Sequence, residues 1–220
     1  PELFKSIFIQ TIFTKKNYPI KVSINIVDSG STDGSLKFIQ EKYPEVHILK
    51  NTHNLGFTTS YNQAIRMSKA DYVLVMNADI ILDKEYIELL LAGIKKDPEI
   101  GSISGKLLRA KFITSDESTS ANGMDIQKTN IIDSLGLAVK RNRRVYNISE
   151  GKIDSNKNNK KQEVFGLPAT ATLYSTKAFE DVRYNDEYFD QDFFAYKEDF
   201  DLSWRLQIAG WKAVLFPGAI

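Results

Sequence analysis

Apolar residues near the start of the chain recur with the period of a helix and then with the period of a strand. Five of them share one helix face: Leu3, Phe4, Ile7, Phe8 and Ile12. They predict a helix over residues 1–16. From Val22 to Val27, β-branched residues alternate with other side chains, which predicts a strand that ends at Asp28.

The same order of helix and strand repeats along the first half of the chain. The expected elements are a helix at 35–43, a strand at 46–49, a helix at 58–68, a strand at 72–76 and a helix at 84–95. Alternation of this kind is typical of a parallel sheet with helices on its faces. We therefore predict an α/β fold built on a mostly parallel, Rossmann-like sheet.

The second half of the chain lacks this rhythm at first. Residues 111–162 are rich in Ser, Asn, Lys and Gly, which predicts loops, small strands and a mobile excursion at 150–162. Apolar order then returns from Val164 to Tyr174. A short helix at 176–181, a helix that starts in the acidic segment 196–205 and a last strand at 213–216 complete the pattern.

Composition restricts the class of protein. With 220 residues and 42% hydrophobic residues, the chain is long enough for one well-packed domain. Lys and Arg total 29 against 28 for Asp and Glu, so the overall charge does not favour nucleic acid as a partner. The absence of Cys excludes disulfides and thiolate sites and fits a reducing compartment. No apolar run is long enough to span a bilayer, so we expect a cytoplasmic protein.

Polar clusters follow two of the predicted strands, where open parallel sheets bind their ligands. The first cluster begins with Asp28, Ser29 and Gly30, whose side chains and flexible backbone could meet a base edge or a ribose hydroxyl. A strand-to-helix turn capped by Asp33 or Ser35 is the better explanation of this cluster when it is taken alone. The second cluster, residues 54–57, by itself indicates only a loop.

A third cluster follows the buried strand at 72–76. Asn77 and Asp79 stand at the end of this strand, where packing does not require polar side chains. Mg²⁺ usually takes one or two carboxylates and completes its shell with water and substrate phosphates. The cluster therefore predicts a metal site that depends on a bound nucleotide.

The acidic segment offers two adjacent carboxylates, Glu198 and Asp199, at the predicted start of a helix. An ionised carboxylate is favoured at that position and could accept a proton from a substrate. On this segment alone, helix capping is the favoured explanation, and Asp201 and Arg205 have the spacing of a helical ion pair.

Taken together, these clusters resemble those of the family two glycosyltransferases of the GT-A fold, in their rhamnosyltransferase-like branch. The matching pieces are IVDSGSTDGS at 26–35, NLGF at 54–57, MNAD at 76–79, IDSLGL at 132–137, RNRR at 141–144 and FFAYKEDFDLSWRLQIAGWKAV at 193–214. Their order and spacing extend over nearly the whole chain. The resemblance implies one GT-A domain over residues 1–220, with a nucleotide-donor half at 1–110 and an acceptor and catalytic half at 111–220.

The resemblance also implies roles for single residues. Asp79 would bind Mg²⁺ or Mn²⁺, and Asp199, paired with Glu198, would be the catalytic base. The implied donor-binding residues are Asp28, Ser29, Gly30, Asn54, Gly56, Asn77 and Asp79. On the acceptor side the candidates are Arg143 and Arg144, which could grip a phosphate, together with Trp204 and Arg205.

The sequence departs from the family pattern in several places. Asn77 stands where the family often has a first Asp, and Thr58, Thr59 and Ser60 stand where it tends to have glycines. The usual first strand would precede Pro1, and a His-containing segment would follow Ile220. We therefore expect the chain to lack both of these family elements.

The expected activity is inverting transfer of a sugar from a nucleoside diphosphate, with dTDP-rhamnose as the donor suggested by the branch. The acceptor would be a glycan or lipid-linked glycan of a bacterial surface polysaccharide, reached by peripheral association at the inner face of the membrane. Two alternatives stay open. A sugar nucleotidyltransferase should show a Gly-rich, basic phosphate loop, and a non-catalytic nucleotide-sugar-binding domain would not need Glu198 and Asp199. A solvated face is also the commonest explanation of the basic run 140–144.

Overall fold

The computed structural model describes residues 2–14, 20–114 and 124–220. The helices are α1 (Glu2–Phe8), α2 (Thr11–Thr14), α3 (Ser35–Lys42), α4 (Gly56–Met67), α5 (Tyr86–Ile94), α6 (Thr176–Asp181) and α7 (Glu198–Ile208). The strands are β1 (Asn25–Asp28), β2 (His47–Lys50), β3 (Tyr72–Met76), β4 (Ile100–Ser104), β5 (Leu107–Thr114), β6 (Met124–Ser134), β7 (Leu137–Val139), β8 (Val145–Asn147), β9 (Gln162–Val164), β10 (Ala171–Ser175) and β11 (Lys212–Leu215). The predicted end of the first helix and part of the predicted loop region lie outside the described residues.

A five-stranded sheet forms the centre of the fold, in the order β3-β10-β4-β11-β9. β11 runs parallel to β4, whereas β10 runs antiparallel to both of its neighbours and β9 antiparallel to β11. A separate pair, β1 and β2, is parallel. The predicted α/β class with parallel strand pairing is confirmed. The central sheet is mixed, because β9 and β10 run antiparallel to their neighbours.

Helices cover both faces of this sheet, as neighbouring residues of β10 demonstrate. Leu173 packs in a core with Leu90 of α5, and Tyr174 packs in another core with Phe179 of α6 and Leu202 of α7. Successive side chains of a strand point to opposite faces, so α5 covers one face while α6 and α7 cover the other. Since β10 belongs to the second half of the chain and β3 to the first, the two halves share one sheet.

The predicted first helix is broken in two at Gln10. This side chain is fully buried: its Nε2 donates to the carbonyls of Ser6 and Asp83, and its Oε1 accepts from the Ile87 amide. The Thr11 amide then donates to the Lys84 carbonyl. The prediction of one continuous helix was wrong because these long-range bonds tie the break to the start of α5.

The first strand is shorter than predicted and begins at Asn25 instead of Val22. Its partner β2 offers four residues, and the register pairs Asn25 with His47 and Asp28 with Lys50. The apolar pattern begins at Val22, but β2 pairs only with residues 25–28. Within the described ranges, no ladder joins β1 to β3. The expectation of a missing first strand stays a prediction.

The region predicted as loops contains two antiparallel hairpins, β5–β6 and β7–β8. The excursion predicted to be mobile is tied to the core by Lys106, which is 3% exposed. Its Nζ donates to Asp154 Oδ2 at 2.7 Å and to Asn159 Oδ1 at 2.6 Å. Among the described residues, no helix has the length and apolar character needed to cross a bilayer.

Candidate active site

Helix α4 connects the polar clusters predicted from the sequence. At its start, Asn54 Oδ1 accepts a hydrogen bond of 2.9 Å from the Gly56 amide, and Gly56 adopts a φ of +82°. One turn later, Ser60 Oγ donates to the Gly56 carbonyl and lies 2.8 Å from Ser29 Oγ. The first and second clusters therefore lie side by side, joined through Ser60.

The first cluster is shaped by Asp28, which is buried at the end of β1. Its carboxylate accepts hydrogen bonds from the amides of Gly30 and Ser31, at 3.2 and 3.1 Å. Gly30 has a φ of +88°, and a Cβ at this position would lie 3.2 Å from the His53 Cα. These contacts are those of a structural turn, and they also hold the loop 28–31 against the second cluster.

The third cluster lies at the end of β3, where predicted. The Asn77 amide donates to the Thr170 carbonyl at 2.9 Å, which attaches the cluster to the loop before β10. Asp79 is exposed, and its side chain makes no hydrogen bond or ion pair with any residue that the structure describes. Its carboxylate is therefore available to a ligand.

The residues present fit a divalent ion that is shared with a substrate. In the described part of the chain, no group of three or more His, Cys, Asp or Glu side chains could hold a metal alone. Asp79 provides one carboxylate, and Mg²⁺ commonly accepts one or two together with phosphate oxygens. An ion at Asp79 would need the oxygens of a bound diphosphate.

The acidic pair lies in the first turn of α7. Glu198 is 7% exposed, and its Oε2 has no hydrogen-bond partner. Asp199 Oδ1 accepts from the Phe200 amide at 2.9 Å. Burial raises the pKa of both carboxyl groups above their usual values, and the neighbouring Asp199 charge adds to the rise at Glu198. Both carboxyl groups therefore stay protonated up to a higher pH than the same groups in free side chains.

The loop before α7 has an unusual backbone. Phe194, Tyr196 and Lys197 all have positive φ, at 57°, 69° and 75°. The Phe194 carbonyl accepts from the Thr58 amide at 3.3 Å, so this loop rests on the start of α4. Left-handed backbone at bulky residues is rare and concentrates at functional sites. The loop joins the second cluster to the acidic pair.

The predicted acceptor residues have different environments. The Arg205 guanidinium bonds Asp201 and the carbonyls of Val182 and Tyr188, each at 2.7–2.8 Å. These bonds hold the Arg205 guanidinium within the fold. We therefore do not propose that Arg205 binds the acceptor. Trp204 is exposed and packs edge-on against Phe165.

Arg143 and Arg144 are exposed in the turn between β7 and β8. Neither forms an ion pair with the acidic residues that the structure describes. The bridge between Leu137 and Gly166 joins the hairpin to the segment before β10. Both guanidinium groups stay available to an anion.

Two residues of the site, Tyr61 and Asn62, did not emerge from the sequence. The Tyr61 hydroxyl donates to the Met76 carbonyl at 2.6 Å, at the end of β3. Asn62 is fully buried, and its amide bonds the backbone of Tyr188 and Phe189. A polar residue at a core position of α4 was the available signal for Asn62. Tyr61 gave no signal, because its partner is far away in the sequence.

The comparison with protein families is consistent with this geometry. Residues 1–183 match the family described as Glycosyl transferase family 2. The chain belongs to glycosyl transferase family 2. The family predicted from the motifs is thereby confirmed.

Within this family, two groups of relatives are similar to the chain. An N-acetylglucosaminyl-diphospho-decaprenol L-rhamnosyltransferase of Mycobacterium tuberculosis is 28% identical over 214 residues, covering 90% of this chain and 65% of that protein. A poly-beta-1,6-N-acetyl-D-glucosamine synthase of Staphylococcus aureus is 23% identical, covering 91% of this chain and 42% of that protein. The chain therefore spans less than two thirds of the length of these relatives.

Two solved structures support the fold. The crystal structure of GalNAc-T7 with UDP, GalNAc and Mn²⁺ matches 99% of this chain and 40% of that protein, with a TM-score of 0.69 and 13% identity. The structure of S. aureus TarS matches 98% of this chain and 32% of that protein, with a TM-score of 0.60 and 15% identity. The GT-A-type fold expected from the sequence is confirmed.

Proposed function

We propose that this chain carries the catalytic domain of an inverting glycosyltransferase. The observation that supports this most is that Tyr61, whose hydroxyl bonds the end of β3, is influenced by the charges of both Asp79 and Glu198. Burial raises the pKa of Tyr61, and the negative charges of Asp79 and Glu198 raise it further. A carboxylate open to a diphosphate and a buried carboxylate of the acidic pair thus both act on one tyrosine.

Asp199 is the proposed base. An acceptor hydroxyl attacks the anomeric carbon while its proton passes to the Asp199 carboxylate. The new bond joins the anomeric carbon to the acceptor oxygen. The bond from that carbon to the diphosphate oxygen breaks, and the nucleoside diphosphate leaves with the electron pair. Attack from the face opposite the leaving group inverts the anomeric centre.

Asp79 is the proposed ligand of Mg²⁺ or Mn²⁺. A divalent ion bound there would neutralise the charge that develops on the departing diphosphate. Mn²⁺ occurs with UDP in the GalNAc-T7 structure, which supports use of a divalent ion here. Asn77, one residue beyond β3, lies beside Asp79 and would bind the ribose or the diphosphate.

The two loops joined by Ser60 form the proposed nucleotide site. Asp28 fixes the turn that presents Ser29 and Gly30, and Asn54 fixes the start of α4 at Gly56. Both loops follow strands of the parallel pair β1–β2, where ligands of open sheets bind. We therefore assign the base and ribose of the donor to this region.

The donor sugar and the acceptor follow from the relatives. The M. tuberculosis relative is named as an L-rhamnosyltransferase acting on a diphospho-decaprenol, so we propose an activated rhamnose, such as dTDP-rhamnose, and a lipid-linked glycan. Arg143 and Arg144 would bind the acceptor diphosphate, since guanidinium groups suit phosphate oxygens. Such an acceptor would require the protein to work at a membrane surface.

The test is transfer by the full-length protein from a panel of nucleoside-diphosphate sugars to a diphosphate-linked glycan acceptor. NMR of the product gives the anomeric configuration. We expect metal-dependent transfer with inversion. Retention of configuration contradicts the proposal. A panel in which no donor releases its nucleoside diphosphate contradicts it as well.

A further inference from the structure

Tyr61 is the residue of α4 whose side chain reaches the end of β3. Its hydroxyl donates to the Met76 carbonyl at 2.6 Å and lies 3.4 Å from Asn77 Oδ1. Met76 is the last residue of the strand, and Asn77 and Asp79 follow it directly. One side chain thus contacts the backbone and the amide that precede the proposed metal ligand.

The tyrosine ring is held so that its hydroxyl has little freedom to move. It packs against Phe57, with ring centroids 4.1 Å apart, and lies edge-on to Phe189 at 6.1 Å. Both neighbours pack against the same core as Tyr174. Because the ring cannot shift, its hydroxyl can hold a hydrogen-bond partner in one position.

The Tyr61 hydroxyl has a single proton, and the 2.6 Å bond to the Met76 carbonyl uses it, so the 3.4 Å approach to Asn77 Oδ1 is a contact and not a second donated bond. The Asn77 side chain has no other hydrogen bond among the described residues. A carboxamide has two donors on its nitrogen and only acceptors on its oxygen. The Asn77 amide is therefore free to donate to ribose or phosphate oxygens, and what Tyr61 fixes is the strand end that carries this amide.

Tyr61 also remains a donor throughout the working pH range. Burial disfavours its phenolate, and the nearby negative charges of Asp79 and Glu198 do the same, so its pKa lies well above the usual value. A neutral phenol donates one hydrogen bond, here directed to the strand end. The contact will not be lost by ionisation when the carboxylates are charged.

We propose that Tyr61 is a positioning residue for the donor, which fixes the end of β3 and so sets where Asn77 and Asp79 meet the nucleoside diphosphate. This proposal rests on the proposed function, because it assigns a role within that donor site. It concerns donor affinity and not the proton transfer. Asp199 is therefore not expected to depend on it.

The experiment is Tyr61→Phe in the full-length protein, which keeps the ring and removes the hydroxyl. Calorimetry with UDP or dTDP and Mn²⁺ measures nucleotide affinity without any transfer step. A net hydrogen bond of about 0.5–1.5 kcal/mol corresponds to roughly a 2–12-fold loss of affinity. We expect a loss in this range, with kcat at saturating donor changed less than KM for the donor.

Tyr188→Phe is the matched control. Its hydroxyl also makes a 2.6 Å bond, to Glu180 Oε1, and lies in the same core, but it contacts none of the donor-binding residues. We expect a comparable fall in melting temperature and unchanged nucleotide affinity. Equal loss of nucleotide affinity in both variants would mean that Tyr61 acts only through stability, and would overturn the proposal.

A double variant provides a second test. If Tyr61 acts by fixing the strand end that carries Asp79, then Tyr61→Phe should weaken nucleotide binding with Mn²⁺ much less in an Asp79→Ala background than in the wild type. Full additivity overturns the role of Tyr61 in placing the strand end. Wild-type protein that binds no nucleoside diphosphate overturns the proposed function, whereas wild-type binding with unchanged affinity in Tyr61→Phe overturns only the role of Tyr61.

Discussion

Gly56 and Phe194 are in direct contact across the site. A Cβ on Gly56 would lie 2.6 Å from Phe194 Cδ2, and Gly56 has a φ of +82° that other residues rarely adopt. Gly56 begins the helix that follows the second cluster, and Phe194 belongs to the loop before α7. The loop at the start of α4 and the loop before α7 are therefore not independent of each other.

Gly56→Ala should destabilise the protein and lower transfer. The backbone conformation alone costs about 1–2 kcal/mol for a non-glycine residue, and overpacking against Phe194 adds about 1–3 kcal/mol. Denaturant unfolding measures the sum. Gly151→Ala is the control, because Gly151 has a φ of +75° with no atom within 4 Å of its added Cβ. Equal losses of stability in the two variants would mean that the Phe194 contact is unimportant.

Asp199→Asn should abolish most transfer while the protein stays folded. An amide cannot accept the proton, so we expect kcat to fall by about 10²–10⁴-fold. Donor affinity and melting temperature should remain close to wild type. Steady-state kinetics and calorimetry measure these quantities.

Asp201→Asn is the control for Asp199, because it lies in the same helical turn. Asp201 Oδ2 accepts from Arg205 Nη2 at 2.7 Å, in an ion pair that anchors α7. Its replacement should lower the melting temperature and leave kcat within a fewfold of wild type. Near-normal turnover in Asp199→Asn would remove the assignment of the base.

The pH dependence of transfer should reflect the buried acidic pair. Burial raises the pKa of Asp199, and the base must be ionised, so activity is lost as the pH falls through this raised pKa. We expect the acidic limb of kcat/KM to lie at a higher pH than the ordinary Asp value of about 3.9. A profile that stays flat down to that value would show that the acting base is a solvated group.

The burial of Glu198 should make the free energy of unfolding depend on pH. Activity is expected to be lost as the pH falls, whereas this contribution to stability is lost as the pH rises. The pKa of Glu198 is raised in the folded state, so its contribution to stability is present at low pH and is lost as the pH rises through that pKa. Glu198→Gln removes this loss. The difference in unfolding free energy between variant and wild type should therefore shift in favour of the variant as the pH rises above the ordinary Glu pKa of about 4.3. A constant difference contradicts the raised pKa.

Lys106→Met should release the segment 150–162. The buried Lys106 ammonium binds Asp154 and Asn159, and removing it leaves a partly buried carboxylate without its cation, which costs about 1–3 kcal/mol. Limited proteolysis should then cut this segment faster than in wild type. The exposed Lys152 of the same segment gives the control, and Lys152→Met should leave the cleavage rate unchanged.

Sequence patterns predicted the elements that depend on local order. The strand from Tyr72 to Met76 and the helix from Thr176 to Asp181 have the predicted bounds, because an apolar run and a helical period identify them without reference to distant residues. The strand ends that carry Asp28 and Asp79 were located in the same way. Motif order then led to the family.

Features that depend on distant partners were missed. The break at Gln10 is stabilised by bonds to Asp83 and Ile87, and the contact of Tyr61 is with a strand that forms elsewhere in the chain. β4, which follows α5, is buried throughout and has no alternating pattern by which to recognise it. A local period contains no information about which distant residue becomes a partner.

The position of β10 between β3 and β4 has a consequence for synthesis on the ribosome. β3 and β4 are consecutive strands, but the strand that joins them emerges much later, since Ala171 pairs with Met76 about 95 residues away. Until residues 171–175 leave the exit tunnel, the edges of β3 and β4 that face β10 stay unpaired. Such edges promote association between chains, and long-range pairing folds slowly. Newly made chains of this protein should therefore depend on chaperones until translation passes β10.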